Sequence, residues 1–474
     1  MRVAASARLV CPSIRWRRNS FASERAKIRD ALAAGVGGFI LFAGTRAAVA
    51  ALTAELRARA RRELLLGSDL ERGAGQQIRG LTELPPPGAL GFLDDLEATA
   101  RCGAITAIEA RAVGLNWIFA PVCDLDVEPQ NPIVQTRSFG ADPARVGAHA
   151  AAWIRACQSE GVLACAKHFP GHGRTTTDSH EGVPVVESPA AVLQQADVAP
   201  FAGAVQAGVA SVMPAFVAYP DWDPSGAAAT FSRPILDYLR TTIGFDGLVV
   251  TDAFIMGGAT AAAPETSAAV AAVHAGCDML LYPTDWAGVV RALRDVAAWR
   301  AEQALEKYEQ AVAGRGQRDA GGITDGQLAD HRRFADGLAD RALHVLRGEP
   351  PSLGNVVSVT IVDDDRGGPY AIPPRDVIVR ELIGGGINVP RSPEPGTRHV
   401  VLVYAEPRSW KGRGDLGPAT RARLERLVPQ AALVILFAHP RLVAQVPGQV
   451  PVLCAWHGQA LMQRAAARWI IARR

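Results

Sequence analysis

The sequence predicts an α/β protein: a closed (β/α)8 barrel of the TIM type over residues 1–350, then a small parallel α/β sandwich domain over residues 351–474. Two observations carry this expectation. Between about residues 30 and 290, short apolar runs alternate with amphipathic segments, as repeated parallel βαβ units do. At least four of those runs also end in ionisable residues: Asp69 and Glu71, Asp124 and Asp126, Lys167 and His168, and Asp252. An open sheet gathers ligands at one switch point, whereas in a barrel the carboxyl ends of all strands ring one mouth. Charges after many strands fit the barrel.

In order, the expected strands are Gly37–Phe42, Glu63–Gly67, Leu115–Pro121, Gly161–Ala166, Ala210–Met213, Gly247–Val250 and Asp278–Tyr282, with an eighth near Arg8–Ile14. Each is short, rich in Val, Ile, Leu or Phe and not strictly alternating, which suits strands buried on both faces. Asp142-Pro143 and Ser188-Pro189 each place a capping residue before a proline suited to a first helical turn. Residues 299–314 and 325–348 read as two helices around a Gly-rich break, and "GEPPSLGN" reads as a linker. Beyond it, Val356–Val362, His399–Tyr404, Leu433–Ala438 and Pro451–Ala455 predict four parallel strands, with a helix over Pro418–Leu427.

Composition narrows the function. Of the 474 residues 49% are hydrophobic and 20% charged, which excludes disorder and supplies a full core. A net charge of +3 does not point to nucleic acid or an anionic membrane. No apolar run approaches the ~18–20 residues of a spanning helix, and Arg8 interrupts any leader-like apolar stretch. The seven cysteines are scattered without CxxC pairs, so neither a disulfide framework nor a zinc site is expected. A cytoplasmic protein follows from these features. Only Lys27, Lys167, Lys307 and Lys411 are lysines among fifty basic residues.

The densest chemistry lies in "AKHFPGHGRTTTDSHEG", Ala166–Gly182, with Lys167, His168, His172, Asp178 and His180. Pro170, Gly171 and Gly173 forbid a helix, so a loop follows the strand. Three readings compete there. The histidines could satisfy local hydrogen bonds, or His168, His172, Asp178 and His180 could ligate a metal, although the helix that would set two histidines on one face is absent. The third makes Asp178 and His180 a carboxylate–imidazole pair suited to general acid/base work near neutral pH.

"KHFPGHG" followed by "TxxDSH" resembles the signature of glycoside hydrolase family 3, in its β-N-acetylglucosaminidase branch. Further stretches agree in order: "LLGSDLERG", "GLNWIFAPVCDL", "NPIVQTRSFG", "GFDGLVVTDAFIMGG" and "AGCDMLLYP". The resemblance covers the whole first domain. It implies Asp252 as the nucleophile on the anomeric carbon, His180 as general acid/base and Asp178 as its orienting partner. It further implies Asp69, Arg137, Lys167 and His168 as sugar-binding groups, and neither a metal nor an organic cofactor. The implied activity is retaining hydrolysis of terminal β-linked N-acetylglucosamine from an oligosaccharide or muropeptide, with no nucleic-acid or membrane partner.

Alternatives within the resemblance are a β-glucosidase, or a dual-specificity enzyme that also accepts phosphate in place of water; outside it stands an inactive sugar-binding protein. The chain departs from the branch at Ala74-Gly75-Gln76-Gln77, where a basic residue is common, and at Phe216, where many members carry histidine. Asp124 and Asp126 read as loop-bonding residues, and Glu71 carries no assigned role. No catalytic residue is expected in the second domain.

Overall fold

The computed structural model describes residues 6–177, 182–260, 263–313, 322–368, 372–390, 397–408 and 410–474. Strand β1 runs in two pieces, Val10–Cys11 and Ser13–Arg15, on either side of Pro12. It is followed by β2 (Gly38–Phe42), β3 (Leu65–Ser68), β4 (Trp117–Ile118), β5 (Leu163–Phe169), β6 (Ser211–Pro214), β7 (Leu248–Val249) and β8 (Leu280–Leu281). The second piece of β1 and strands β2 to β7 pair in sequence order, always parallel. Val250 bridges Met279, and β8 pairs with the first piece of β1, setting Val10 opposite Leu280. The sheet therefore closes on itself, and the strand expected near Arg8–Ile14 is β1. Pro12 has no amide to donate; its carbonyl accepts from Ile40, and there the strand passes from its β8 neighbour to its β2 neighbour.

The barrel interior is packed with side chains. Cys11, Ile40, Leu65, Trp117, Phe119, Leu163, Cys165, Met213, Leu248, Val250, Met279 and Leu281 form one cluster, as expected of a filled small barrel. Gly67 is required beside it, because a Cβ there would lie 2.8 Å from the Phe119 ring. The helix Ala298–Ala313 closes the amino-terminal end: Tyr308 joins the interior cluster and its hydroxyl donates to the carbonyls of Gly37 and Glu63. A larger core fills the space between strands and outer helices.

Helix Pro143–Ser159 starts as the sequence predicts, with Asp142 accepting from the Arg145 amide at 2.7 Å. Ser188 does not act as the expected cap. Pro189 itself stays extended, and the first helical amide, Ala190, donates to Asp221 instead. Helix Asp325–Ala342 carries a capping box on Thr324 and Gln327.

The second sheet holds β9 (His344–Arg347), β10 (Val357–Asp363), β11 (Arg398–Ala405), β12 (Leu433–Ala438) and β13 (Val452–Cys454), in the order β9-β13-β12-β11-β10. The four expected strands are present and parallel, and Pro418–Leu427 is a helix. The fifth corrects the sequence reading. His344–Arg347 extends the helical pattern, yet it leaves the helix at Leu343 and pairs antiparallel with β13. By sheet membership the second unit thus begins ahead of residue 351. Its face packs directly on the barrel, since Cys454, Trp456, Leu461 and Met462 belong to the barrel's outer core.

Candidate active site

Side chains alternate across a strand with a period of two, and this alternation builds the mouth. Leu65, Leu163, Cys165, Leu248 and Val250 face the interior. Two or four residues further on, Asp69, Lys167 and Asp252 continue the same inward rows past the strand ends. The residues that the sequence marks on β3, β5 and β7 therefore converge at one rim.

The buried Lys167 ammonium lies 2.9 Å from Asp69 and 2.9 Å from Glu71. Arg137, from the loop after β4, grips Glu71 with both prongs of its guanidinium at 2.9 and 2.8 Å. Burial acts against the charge on Glu71, but Arg137 and Lys167 outweigh it and hold the carboxyl well below its ordinary range. Burial likewise opposes the Lys167 charge, and Asp69 and Glu71 reverse the balance to push its pKa up. Glu71, Lys167 and Arg137 thus hold one another in their charged forms. Asp69 is 32% exposed at its side chain, so its carboxylate is open to a hydroxyl-bearing ligand. Glu71, given no role by the sequence, is the anion that Lys167 and Arg137 share.

Asp124 is the second hub, and it has the structural role expected of it. It is fully buried and accepts from the His168 and His172 amides at 3.1 and 2.7 Å, while Oδ2 lies 2.7 Å from His168 Nδ1. Burial alone would raise its pKa; the His168 and His172 contacts hold it below the usual range. The hydrogen bond at Nδ1 fixes the ring and leaves Nε2 3.9 Å from Asp252. Asp252 is 19% exposed and takes the Ala253 amide at 2.7 Å. Asp178 and His180 lie outside the described residues. His172 contacts the Thr175 hydroxyl at 2.8 Å, a local structural bond. Among the described residues no group of three or more His, Cys, Asp or Glu is arranged to hold a metal, and no helix is long and apolar enough to cross a membrane.

The second domain steadies two of the loops at the mouth. Arg72, next to Glu71, donates to Gln459 and to His457 Nδ1. Asp126, two residues from the Asp124 hub, meets His439 at 2.9 Å and Arg441.

Residues 8–313 match the family described as glycosyl hydrolase family 3 N terminal domain. A protein of Chromobacterium violaceum named beta-hexosaminidase is 39% identical over 271 residues, 55% of this chain and 74% of that protein. A Cellulomonas fimi protein named beta-N-acetylglucosaminidase/beta-glucosidase is 32% identical over 340 residues, 66% of this chain and 60% of its own length. Among solved structures, a glycoside hydrolase family 3 beta-N-acetylglucosaminidase from Paenibacillus sp. str. FPU-7 superposes with a TM-score of 0.86 at 25% identity, covering 100% of this chain and 97% of that one.

Proposed function

From the premise that the chain belongs to glycosyl hydrolase family 3, we propose that it is a retaining glycosidase releasing terminal β-linked N-acetylglucosamine, with Asp252 as nucleophile. The observation that carries this reading is the mouth itself: the partly exposed Asp252 carboxylate, just past β7, shares one rim with an Asp69–Lys167–Glu71–Arg137 cluster supplied by β5 and the segments after β3 and β4. Such a cluster presents donors and acceptors to sugar hydroxyls at fixed positions, and that orientation lowers the barrier. The beta-hexosaminidase relative and the superposable beta-N-acetylglucosaminidase support the choice of sugar.

In the proposed reaction an Asp252 oxygen bonds to the anomeric carbon as the glycosidic C–O bond breaks, and protonated His180 gives its proton to the departing oxygen. Asp178 favours that protonated state, as a nearby carboxylate does. Neutral His180 then takes a proton from water, whose oxygen displaces Asp252 with a second inversion, so configuration is retained. Asp69, Arg137, Lys167 and His168 hold the sugar. A cytoplasmic location and an oligosaccharide or muropeptide substrate complete the reading.

A second reading, activity on β-glucosides, is favoured by the double name of the Cellulomonas fimi relative. The test is hydrolysis of 4-nitrophenyl N-acetyl-β-glucosaminide and 4-nitrophenyl β-glucoside by wild type, Asp252→Ala and His180→Ala. Turnover of the first substrate above the second, abolished by Asp252→Ala, is expected. Turnover that survives Asp252→Ala would overturn the assignment of the nucleophile.

A further inference from the structure

The rim has a third cationic group, and the proposed chemistry does not use it. Arg15 ends β1, four residues beyond the inward-facing Cys11, and so continues an inward row as Asp69, Lys167 and Asp252 do. Its guanidinium carbon lies 4.4 Å from the centroid of Phe42, at the end of β2, and 5.1 Å from that of Tyr282, which follows β8. The two rings are 5.5 Å apart and tilted by 43°, and Arg15 Nε donates to the Tyr282 hydroxyl. Tyr282 is held at a φ of 54°, a left-handed conformation costly for a residue with a Cβ and found mostly where the surroundings impose it at working sites. Tyr282 and Phe42 pack on the same interior cluster as Ala253, the neighbour of Asp252.

The other two cations of the mouth each have carboxylate partners, Lys167 with Asp69 and Glu71, and Arg137 with Glu71. Among the described residues no carboxylate lies within 4 Å of Arg15. A half-buried guanidinium without a counter-charge is costly, and planar Nη donors at its edge suit a carboxylate or phosphate.

The barrel order says which part of a sugar would meet it. Strands β7 and β3 are diametrically opposed, so a pyranose with its anomeric carbon at Asp252 directs C4 to Asp69. Its two flanks then face β4 to β6 and β8 to β2. The proposed sugar-binding groups Lys167 and His168 lie on the first flank, and a sugar that turns its C2 and C3 hydroxyls to them sets its other edge toward β8 to β2. The ring oxygen, C5 and C6 fall on the second.

Resting on the glycosidase reading above, we infer that Arg15, clamped by Phe42 and Tyr282, is a specificity-determining residue that recognises an oxyanion on C6 of the bound sugar, a phosphate ester or a carboxylate. The guanidinium supplies the charge, and the two rings exclude water from it and fix its plane.

The test compares kcat/KM for 4-nitrophenyl N-acetyl-β-glucosaminide with that for its 6-phosphate, and 4-nitrophenyl β-glucoside with 4-nitrophenyl β-glucuronide. Wild type, Arg15→Met and Arg15→Lys are assayed. Wild type is expected to prefer one charged substrate over its uncharged counterpart, and the preferred pair tells phosphate from carboxylate. The charged-to-uncharged ratio should fall by about tenfold or more in Arg15→Met, as for loss of a charge-assisted pair, and less in Arg15→Lys. Preference for neither charged substrate, or an unchanged ratio in both variants, would overturn the inference. Failure to cleave any of the four substrates would instead overturn the glycosidase reading on which it rests.

Discussion

Two buried lysines build the same three-charge device in different halves of the molecule. At the barrel mouth Lys167 bridges Asp69 and Glu71, both at 2.9 Å. In the second domain Lys411 bridges Asp364 at 2.8 Å and Asp365 at 3.1 Å. The surroundings differ. The carboxylates around Lys411 are 2% and 0% exposed and have their acceptor capacity spent: Asp364 takes Arg413, Thr420 and the Gly417 amide, and Asp365 takes Arg375 and the Glu406 amide. Around Lys167 the inner carboxylate is equally committed, but Asp69 stands open to solvent. A closed cluster fixes a fold, whereas a cluster with one open acceptor has capacity left for a ligand.

The contrast can be broken most sharply at its centres. Lys167→Met should lower kcat/KM by about 10²–10³-fold, the usual cost of losing one fixed charge in an active site, with a smaller effect on unfolding because Arg137 still neutralises Glu71. Steady-state kinetics beside denaturant melts would show the split; a loss confined to stability would erase the distinction between the clusters. Lys411→Met should do the opposite. Asp364 keeps Arg413 and Asp365 keeps Arg375, but both carboxylates are buried, so losing the bridge between them costs about 3 kcal/mol, read as a lower denaturation midpoint, while kcat/KM of the folded protein stays within about twofold.

Much of this architecture was legible in the sequence, for identifiable reasons. Barrel strands carry their signal locally, as apolar runs, and rim residues are marked by lying just past them, which located Asp69, Lys167, His168 and Asp252. Glu71 was not legible because its role depends on Arg137, 66 positions away. The closed cluster was opaque for the same reason, since Asp364, Lys411 and Thr420 meet only when β10 and the segments after β11 fold together. Strand β9 was hidden because "RALHVLR" continues a helical pattern, and only pairing with β13 makes Val345 extended. Arg15 lies one residue past the segment Arg8–Ile14 expected as the eighth strand, so nothing marked it as a rim residue.

A milder effect follows from His457, which joins the closed cluster to Arg72. Its Nδ1 accepts from the Gln459 amide at 3.0 Å and from Arg72 at 3.2 Å. Burial and the neighbouring arginine keep the ring neutral, with its pKa well below the ordinary value. A histidine depressed in this way adds nothing above its unfolded pKa of ~6.5, and stability falls as acid protonates the unfolded chain first. Thermal melts should therefore lose about 1–2 kcal/mol between pH 6.5 and 5, before the depressed carboxyls Glu71, Asp124 and Asp364 add a steeper loss below about pH 4. His457→Gln should flatten the upper part of that profile; an unaltered profile would remove His457 from the account.

The central claim is that the open side of the mouth serves a covalent step at Asp252. Incubation with a slowly hydrolysed 2-fluoro glycoside, then proteolysis and peptide mass spectrometry, addresses it directly. The account predicts one equivalent of sugar ester-linked to the peptide carrying Asp252. A label on any other carboxylate, or steady turnover with no trapped species, would contradict it.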